Sequence, residues 1–248
     1  NYFFGIKDEN LSFFLFASIL FFLGIIDDKY EINSYIKFLT SILILIISIN
    51  LNFFPKIIYL HIEFLGVFWL EKFSIFFTIL AFLLLLNALN MSDGINGYSI
   101  SIFIIFAFFI QFKNTELNTN LIFLILILII ILIFNFKNKI FLGDSGVYFL
   151  VSYLSCFFIE LGNSNIEIFA EEILLVMFLP GLDMLRVFII RINNKSDPFK
   201  ADRIHLHHIL IDKFGWKKTY IILISAISIP TIINLTTKIS AWFFIIAH

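Results

Sequence analysis

The sequence predicts an all-α, polytopic membrane bundle. Three observations carry this: 60% of its 248 residues are hydrophobic, its mean hydropathy is +1.00, and runs such as LIFLILILIIILIF (Leu121–Phe134) have no polar face. A run without a stripe is neither an amphipathic surface helix nor a half-buried strand, but it suits a segment that crosses lipid. The many Ile and Phe residues would favour strands in water. Lipid offers no partner to a free backbone amide, so helices that satisfy their own hydrogen bonds are preferred. The composition excludes disorder and disfavours a soluble domain. A net charge of −1 gives no general attraction to nucleic acid. Cys156 is the single cysteine, so an intrachain disulfide is excluded.

Taken in order, apolar segments fall at about 11–26, 35–54, 73–91, 98–112, 120–136, 146–161, 170–190 and 219–236, about eight spans, with 241–247 opening another. Between the second and third, IIYLHIEFLGVFWLE (Ile57–Glu71) alternates and carries aromatics, which predicts a short hairpin or interfacial segment on the far side of the membrane. The polar stretches are DDKYEINSYIK after the first span, NALNMSDGINGY after the third, KNKIFLGDSG after the fifth and RINNKSDPFKADRIHLHHILIDKFGWKK after the seventh. Two spans separate each from the next, so parity puts all four on one face. Of the 17 lysines and arginines, 12 fall on that face and only Lys7, Lys56, Lys72, Lys113 and Lys238 on the other. The positive-inside rule makes the polar face cytoplasmic. Residues 1–248 then read as one integral-membrane domain with a cytoplasmic loop at about 191–218.

Each polar stretch carries chemistry. Asp27 and Asp28 end the first apolar helix, where two adjacent carboxylates repel unless a cation or donor offsets them. Lys37 opens the next span and can reach back to the same edge. Asn87, Asn90, Asp93 and Asn96 recur at three-residue steps, the spacing of one helix face. Their oxygens suit a hard cation such as Mg²⁺, although an ordinary helix end and Asn-Gly turn would explain Asn96 and Gly97. Asp144, between Gly143 and Ser145 at the start of the sixth span, is either a helix cap or a metal ligand. Arg186, Arg191, Lys195, Lys200 and Arg203 make a basic rim suited to a pyrophosphate. His205, His207 and His208 invite a zinc reading, but no cysteine lies nearby and the i, i+4 spacing of a helical zinc site is missing. Together, acids and amides for a divalent cation, basic groups for phosphate and histidines for donors, all beside a bilayer, describe phosphoryl chemistry on a lipid.

The order GIIDDKY, NALNMSDGINGY, FLGDSG and SDPFKADRIHLHH resembles the polyprenyl-phosphate N-acetylhexosamine-1-phosphate transferase family over about Gly24 to Leu210. Members of that family move a sugar phosphate from a UDP-sugar to a membrane polyprenyl phosphate. The resemblance implies a bundle of ten or eleven helices in the plasma (bacterial inner) membrane, a cytoplasmic active site, and about two further N-terminal helices ahead of residue 1. It implies Mg²⁺, with Mn²⁺ as a substitute, held by Asp144 and Asn90. It makes Asp27 and Asp28 the acidic pair that deprotonates or positions the lipid phosphate. Lys37 matches a contact to the nucleotide-sugar diphosphate, and Asp93, with Asn87 and Asn96, the nucleotide-binding region. Arg191, His205, His207 and His208 match the loop that grips sugar and pyrophosphate. Ser41, Tyr98, Val147 and Lys137-Asn138-Lys139 depart from the family pattern without removing a ligand. The HLHH spelling, against three consecutive histidines in phospho-MurNAc-pentapeptide transferases, resembles the branch that primes O-antigen, teichoic acid or other surface glycans. A homodimer fits the resemblance. The rival readings are an inactive scaffold-like member and, more distantly, a transporter with acids and amides near mid-membrane.

Overall fold

Ten α-helices cover most of the computed structural model, which describes residues 9–114, 117–164, 168–198, 204–237 and 239–247. They are α1 (Glu9–Tyr30), α2 (Ser34–Asn50), α3 (Ser74–Ser92), α4 (Tyr98–Lys113), α5 (Thr119–Phe136), α6 (Gly143–Asn163), α7 (Ala170–Asn193), α8 (Leu206–Phe214), α9 (Trp216–Thr237) and α10 (Ala241–Ala247). Six of the helical segments are long and apolar enough to cross a membrane, and α2 and α4 are shorter apolar helices. The eight predicted spans are therefore all helical, and the chain is a multi-pass membrane bundle. One expectation needs correction. The segment read as a loop over about 191–218 contains α8, because LHHILIDKF places Leu206, Leu210 and Ile211 against the bundle. Lys7, Lys200, Arg203 and Lys238, which entered the charge count, lie outside the described residues.

Helix ends follow local chemistry. Asn33 caps α2 by accepting from the Tyr35 amide at 2.9 Å, and Asn118 caps α5 through the Asn120 and Leu121 amides. Pro180 in α7 and Pro230 in α9 remove one intrahelical bond each, which a packed membrane helix tolerates.

The bundle is held by close contact, since lipid gives no hydrophobic drive between helices. Helices α1 and α6 run antiparallel, with Phe13 on Phe157 (ring centroids 5.4 Å apart) at one end and Gly24 on Ser145 at the other. A Cβ added at Gly24 would stand 2.4 Å from the Ser145 Cα, so the helices approach as closely as glycine permits. Phe16, Phe54 and Phe82 form a buried aromatic knot, with centroids 4.6 to 5.9 Å apart.

At the far end, β1 (Tyr59–Ile62) and β2 (Gly66–Trp69) pair antiparallel, Tyr59 opposite Trp69. This is the predicted hairpin. It is anchored by Glu171, which accepts from the Glu63 amide at 2.8 Å, and by Asn163, which binds Ile58 and Lys56. Lys113 and Glu172 pair at 2.6 Å at the same end. The opposite end collects the four polar stretches.

Candidate active site

The ends of α1, α2 and α6 meet at one ammonium. Lys37 Nζ lies 2.7 Å from Asp144 Oδ2 and also contacts Asp27 Oδ2. Asp27 is 5% exposed, and its other oxygen accepts from the Ile32 amide at 3.0 Å. A buried carboxylate needs such partners, because desolvation otherwise drives out the charged form. Its neighbour Asp28 has a different task. Asp28 accepts from the Asp144 amide at 2.9 Å and the Ser145 amide at 3.1 Å, so it caps α6 from 116 residues away. Gly143 is required for this approach: its φ is +66°, and a Cβ there would meet the Asp28 carboxylate at 2.9 Å. The adjacent acids predicted as one pair thus divide into an ion-pair partner and a cap.

The second stretch splits too. Asn87 and Asn90 lie on α3, Asp93 follows its last turn, and all three line one cavity. Asn87 donates to the Leu83 carbonyl at 2.7 Å. Asn90 Oδ1 is buried and has no hydrogen-bond partner among the described residues. Burial pushes the Asp93 carboxyl up to about 6, with the nearby Asp144 adding to the shift and the Ser99 hydroxyl, which donates to Asp93, opposing it. Asn96 turns elsewhere and donates to Asn138, outside the cavity lining. The α3–α4 turn is fastened by Asn135, which accepts from the Gly97 amide at 2.6 Å and donates to the Ile140 carbonyl. Ser99 and Asn135 were not predicted from sequence.

Asp183 organises the histidine stretch. On α7 it meets His205 Nδ1 at 3.0 Å and accepts from the Leu206 amide at 3.0 Å and from Arg186 at 2.7 Å. Asp183 is not among the residues predicted from sequence, although a carboxylate inside an apolar span demands a partner and is a signal in itself. His205 and His207 stack, with centroids 5.6 Å apart and planes 7° apart. Burial holds the His207 imidazole down to about 4, helped by His208 and His205, so the ring is neutral at pH 7. Gly94 faces it: a Cβ there would stand 2.1 Å from His207 Nε2. Arg191 is 3% exposed and donates to the Pro198 carbonyl at 2.6 Å.

One cavity of about 300 Å³ unites these elements, with Lys37, Asn87, Asn90, Asp93, Arg191, His205, His207 and His208 in its wall and Tyr148 beside them. Through Lys37 it reaches Asp27 and Asp144. Among the described residues, no three His, Cys, Asp or Glu side chains form a metal-holding group. The orphaned Asn90 oxygen and the Asp144 carboxylate are hard oxygen donors of the kind Mg²⁺ takes, one or two from protein with water and phosphate completing the shell.

Residues 10–162, which include Asp27, Asp28, Lys37, the asparagine stretch and Asp144, match the profile of glycosyl transferase family 4. The chain belongs to glycosyl transferase family 4. Membership makes this family 4 chain an enzyme of the glycosyl-1-phosphate transferase type. It is 26% identical over 237 residues to an undecaprenyl-phosphate alpha-N-acetylglucosaminyl 1-phosphate transferase of Thermotoga maritima, covering 94% of the present chain and 72% of the relative. A protein of the same name from Salmonella typhi is 25% identical, with 96% and 69% covered. The decaprenyl-phosphate N-acetylglucosaminephosphotransferase of Mycobacterium leprae is 24% identical, with 76% and 54% covered. The family 4 chain thus spans between about half and three quarters of the length of these relatives.

Proposed function

We propose that this chain transfers a sugar 1-phosphate, an N-acetylhexosamine 1-phosphate, from a UDP-sugar to polyprenyl phosphate at the cytoplasmic face of the plasma (bacterial inner) membrane, releasing UMP and priming a surface glycan. The observation that carries the reading is the Lys37 junction: one ammonium between Asp27 and Asp144, opening onto a cavity walled by Asn90, Arg191 and three histidines. The names of the relatives support both the lipid acceptor and the N-acetylglucosaminyl phosphate.

In this mechanism an oxygen of the lipid phosphate attacks the β-phosphorus, the one bonded to the sugar. The bond from that phosphorus to the bridging oxygen breaks, and the oxygen leaves with UMP. A phosphate monoester is largely ionised at neutral pH, so little proton abstraction is needed. Asp27 orients Lys37, which places positive charge beside the transferring phosphoryl group. Asp28 holds the first turn of α6 in place and thereby aims Asp144. Arg191 and the histidine wall align the diphosphate and sugar, and Asp93, ionised at pH 7, accepts from donors of the nucleotide portion. Asp144 and Asn90 would hold Mg²⁺ (or Mn²⁺), which supplies charge neutralisation to the diphosphate. The catalytic work is positioning and electrostatic stabilisation.

The test is to incubate membranes containing the full-length gene product with radiolabelled UDP-GlcNAc and undecaprenyl phosphate. Labelled lipid with stoichiometric UMP release is expected. Uptake of label without a lipid product would overturn the transferase reading in favour of transport. Labelled lipid from UDP-MurNAc-pentapeptide alone would move the chain to the other branch.

A further inference from the structure

We propose that Asp183 is a positioning residue for the transfer, fixing the tautomer of His205 and the register of the histidine wall. The inference rests on the transferase reading above. Asp183 Oδ2 faces His205 Nδ1 at 3.0 Å. Its Oδ1 accepts three times: from the Leu206 amide at 3.0 Å and from Arg186 Nε at 3.2 Å and Nη2 at 2.7 Å. Arg186 Nη2 continues to the Ile204 carbonyl at 2.5 Å, so both sides of His205 are tied to α7.

Two consequences follow from hydrogen-bond chemistry. An ionised carboxylate has no proton to give, so the ring must carry its proton on Nδ1. The other nitrogen, Nε2, is then an acceptor in the neutral ring, on a side chain that lines the cavity and is 7% exposed. It can take a hydrogen bond from a hydroxyl or amide of a bound nucleotide sugar. The second consequence concerns α8. The Leu206 amide is one of the orphan donors at that helix start, and Asp183 satisfies it. One carboxylate therefore sets both the protonation pattern of the first histidine and the starting point of the helix that presents the next two.

A role in packing alone needs only an acceptor, whereas the tautomer role needs both oxygens, and Asp183→Asn separates them. The amide oxygen must face the three donors on the Oδ1 side, which forces its NH₂ group toward His205 Nδ1. The imidazole proton then moves to Nε2, and the cavity meets a donor where it met an acceptor.

The experiment uses the full chain, ¹⁵N-labelled at histidine, in lipid nanodiscs, with the His205 signals identified by their loss in His205→Gln. Wild type is expected to show a protonated Nδ1 and Asp183→Asn a protonated Nε2. The kcat of transfer should fall about 10- to 100-fold in Asp183→Asn while the thermal midpoint stays near wild type. Asp183→Ala should lose both activity and stability. A wild-type His205 protonated at Nε2, or Asp183→Asn with wild-type kcat, would overturn the proposal. If the wild type transfers nothing at all, the transferase reading fails, while the spectra still decide the Asp183–His205 relationship on their own.

Discussion

Lys37 Nζ stands 2.7 Å from Asp144 Oδ2 across 107 residues of sequence, and the same ammonium meets Asp27. Removing it leaves two carboxylates facing each other with no cation between them. Lys37→Gln is expected to abolish transfer and to cost about 1–3 kcal/mol of stability, less than a fully buried pair because the lysine side chain keeps 19% exposure. Lys37→Arg should restore stability more than activity. Thermal unfolding in detergent and a transfer assay on the same preparations check both.

Asp28 and Asp27 should respond differently to substitution. Asp28→Ala removes the cap of α6 and is expected to cost about 1 kcal/mol, with a fall in activity through the displaced Asp144 turn. Asp28→Asn keeps an acceptor for one amide and should recover part of both. Asp27→Asn retains the Ile32 contact and loses the charge beside Lys37, so its deficit should be mainly in kcat. Equal losses in the two Asn variants would contradict this division.

Two glycines make contrasting tests. A methyl group at Gly94 would meet the far end of the His207 ring, which can yield, so Gly94→Ala should lower activity at least about 10-fold with a small change in thermal midpoint. At Gly24 the obstacle is the Ser145 backbone, so Gly24→Ala must part α1 from α6 and should cost about 1–3 kcal/mol. Midpoints and rates of the two variants side by side provide the check.

Asp93 gives a pH signature. Its pKa of about 6 lies above the ordinary 3.8, so the fold favours the protonated acid and Asp93 takes stability away as pH rises from 3.8 to 6. Asp93→Asn should therefore raise the thermal midpoint at pH 7, with the gain vanishing below about pH 4. Activity needs the ionised form: kcat/KM for the UDP-sugar should decline as pH falls through about 6, and Asp93→Asn should be poorly active without that inflection. His207 acts oppositely on stability. Its pKa of about 4 against an ordinary 6.5 means stability is lost as pH falls between those values.

Chelation should stop transfer, and added Mg²⁺ should restore it. Asn90→Ala and Asp144→Asn are each expected to raise the Mg²⁺ concentration needed for half-maximal rate by 10-fold or more, roughly the effect of losing a ligand interaction. A titration curve identical to wild type in either variant would remove that residue from the metal site.

Much of the molecule was legible in the residues alone, because lipid reduces the choice of structure to helices and parity then sorts every polar stretch to one face. The eight spans and the shared face of Asp27, Asn90, Asp144 and His207 follow from that argument, and the hairpin at Tyr59–Trp69 follows from the alternation of its own residues. Tertiary contact decided what spacing could not express. Asp27 and Asp28 are adjacent in sequence but point to different partners, one an ammonium and the other two backbone amides. Asn96 keeps the three-residue rhythm of Asn87, Asn90 and Asp93 but lies beyond the end of α3, where that rhythm no longer describes a face, and it pairs with Asn138. Asp183 stood in plain view within an apolar span, yet its meaning depends on His205 and Leu206, residues 22 and 23 positions away that only the folded chain returns to it. Periodicity reports the environment of a segment, whereas the partner of a charge is set by whichever other segment folds against it.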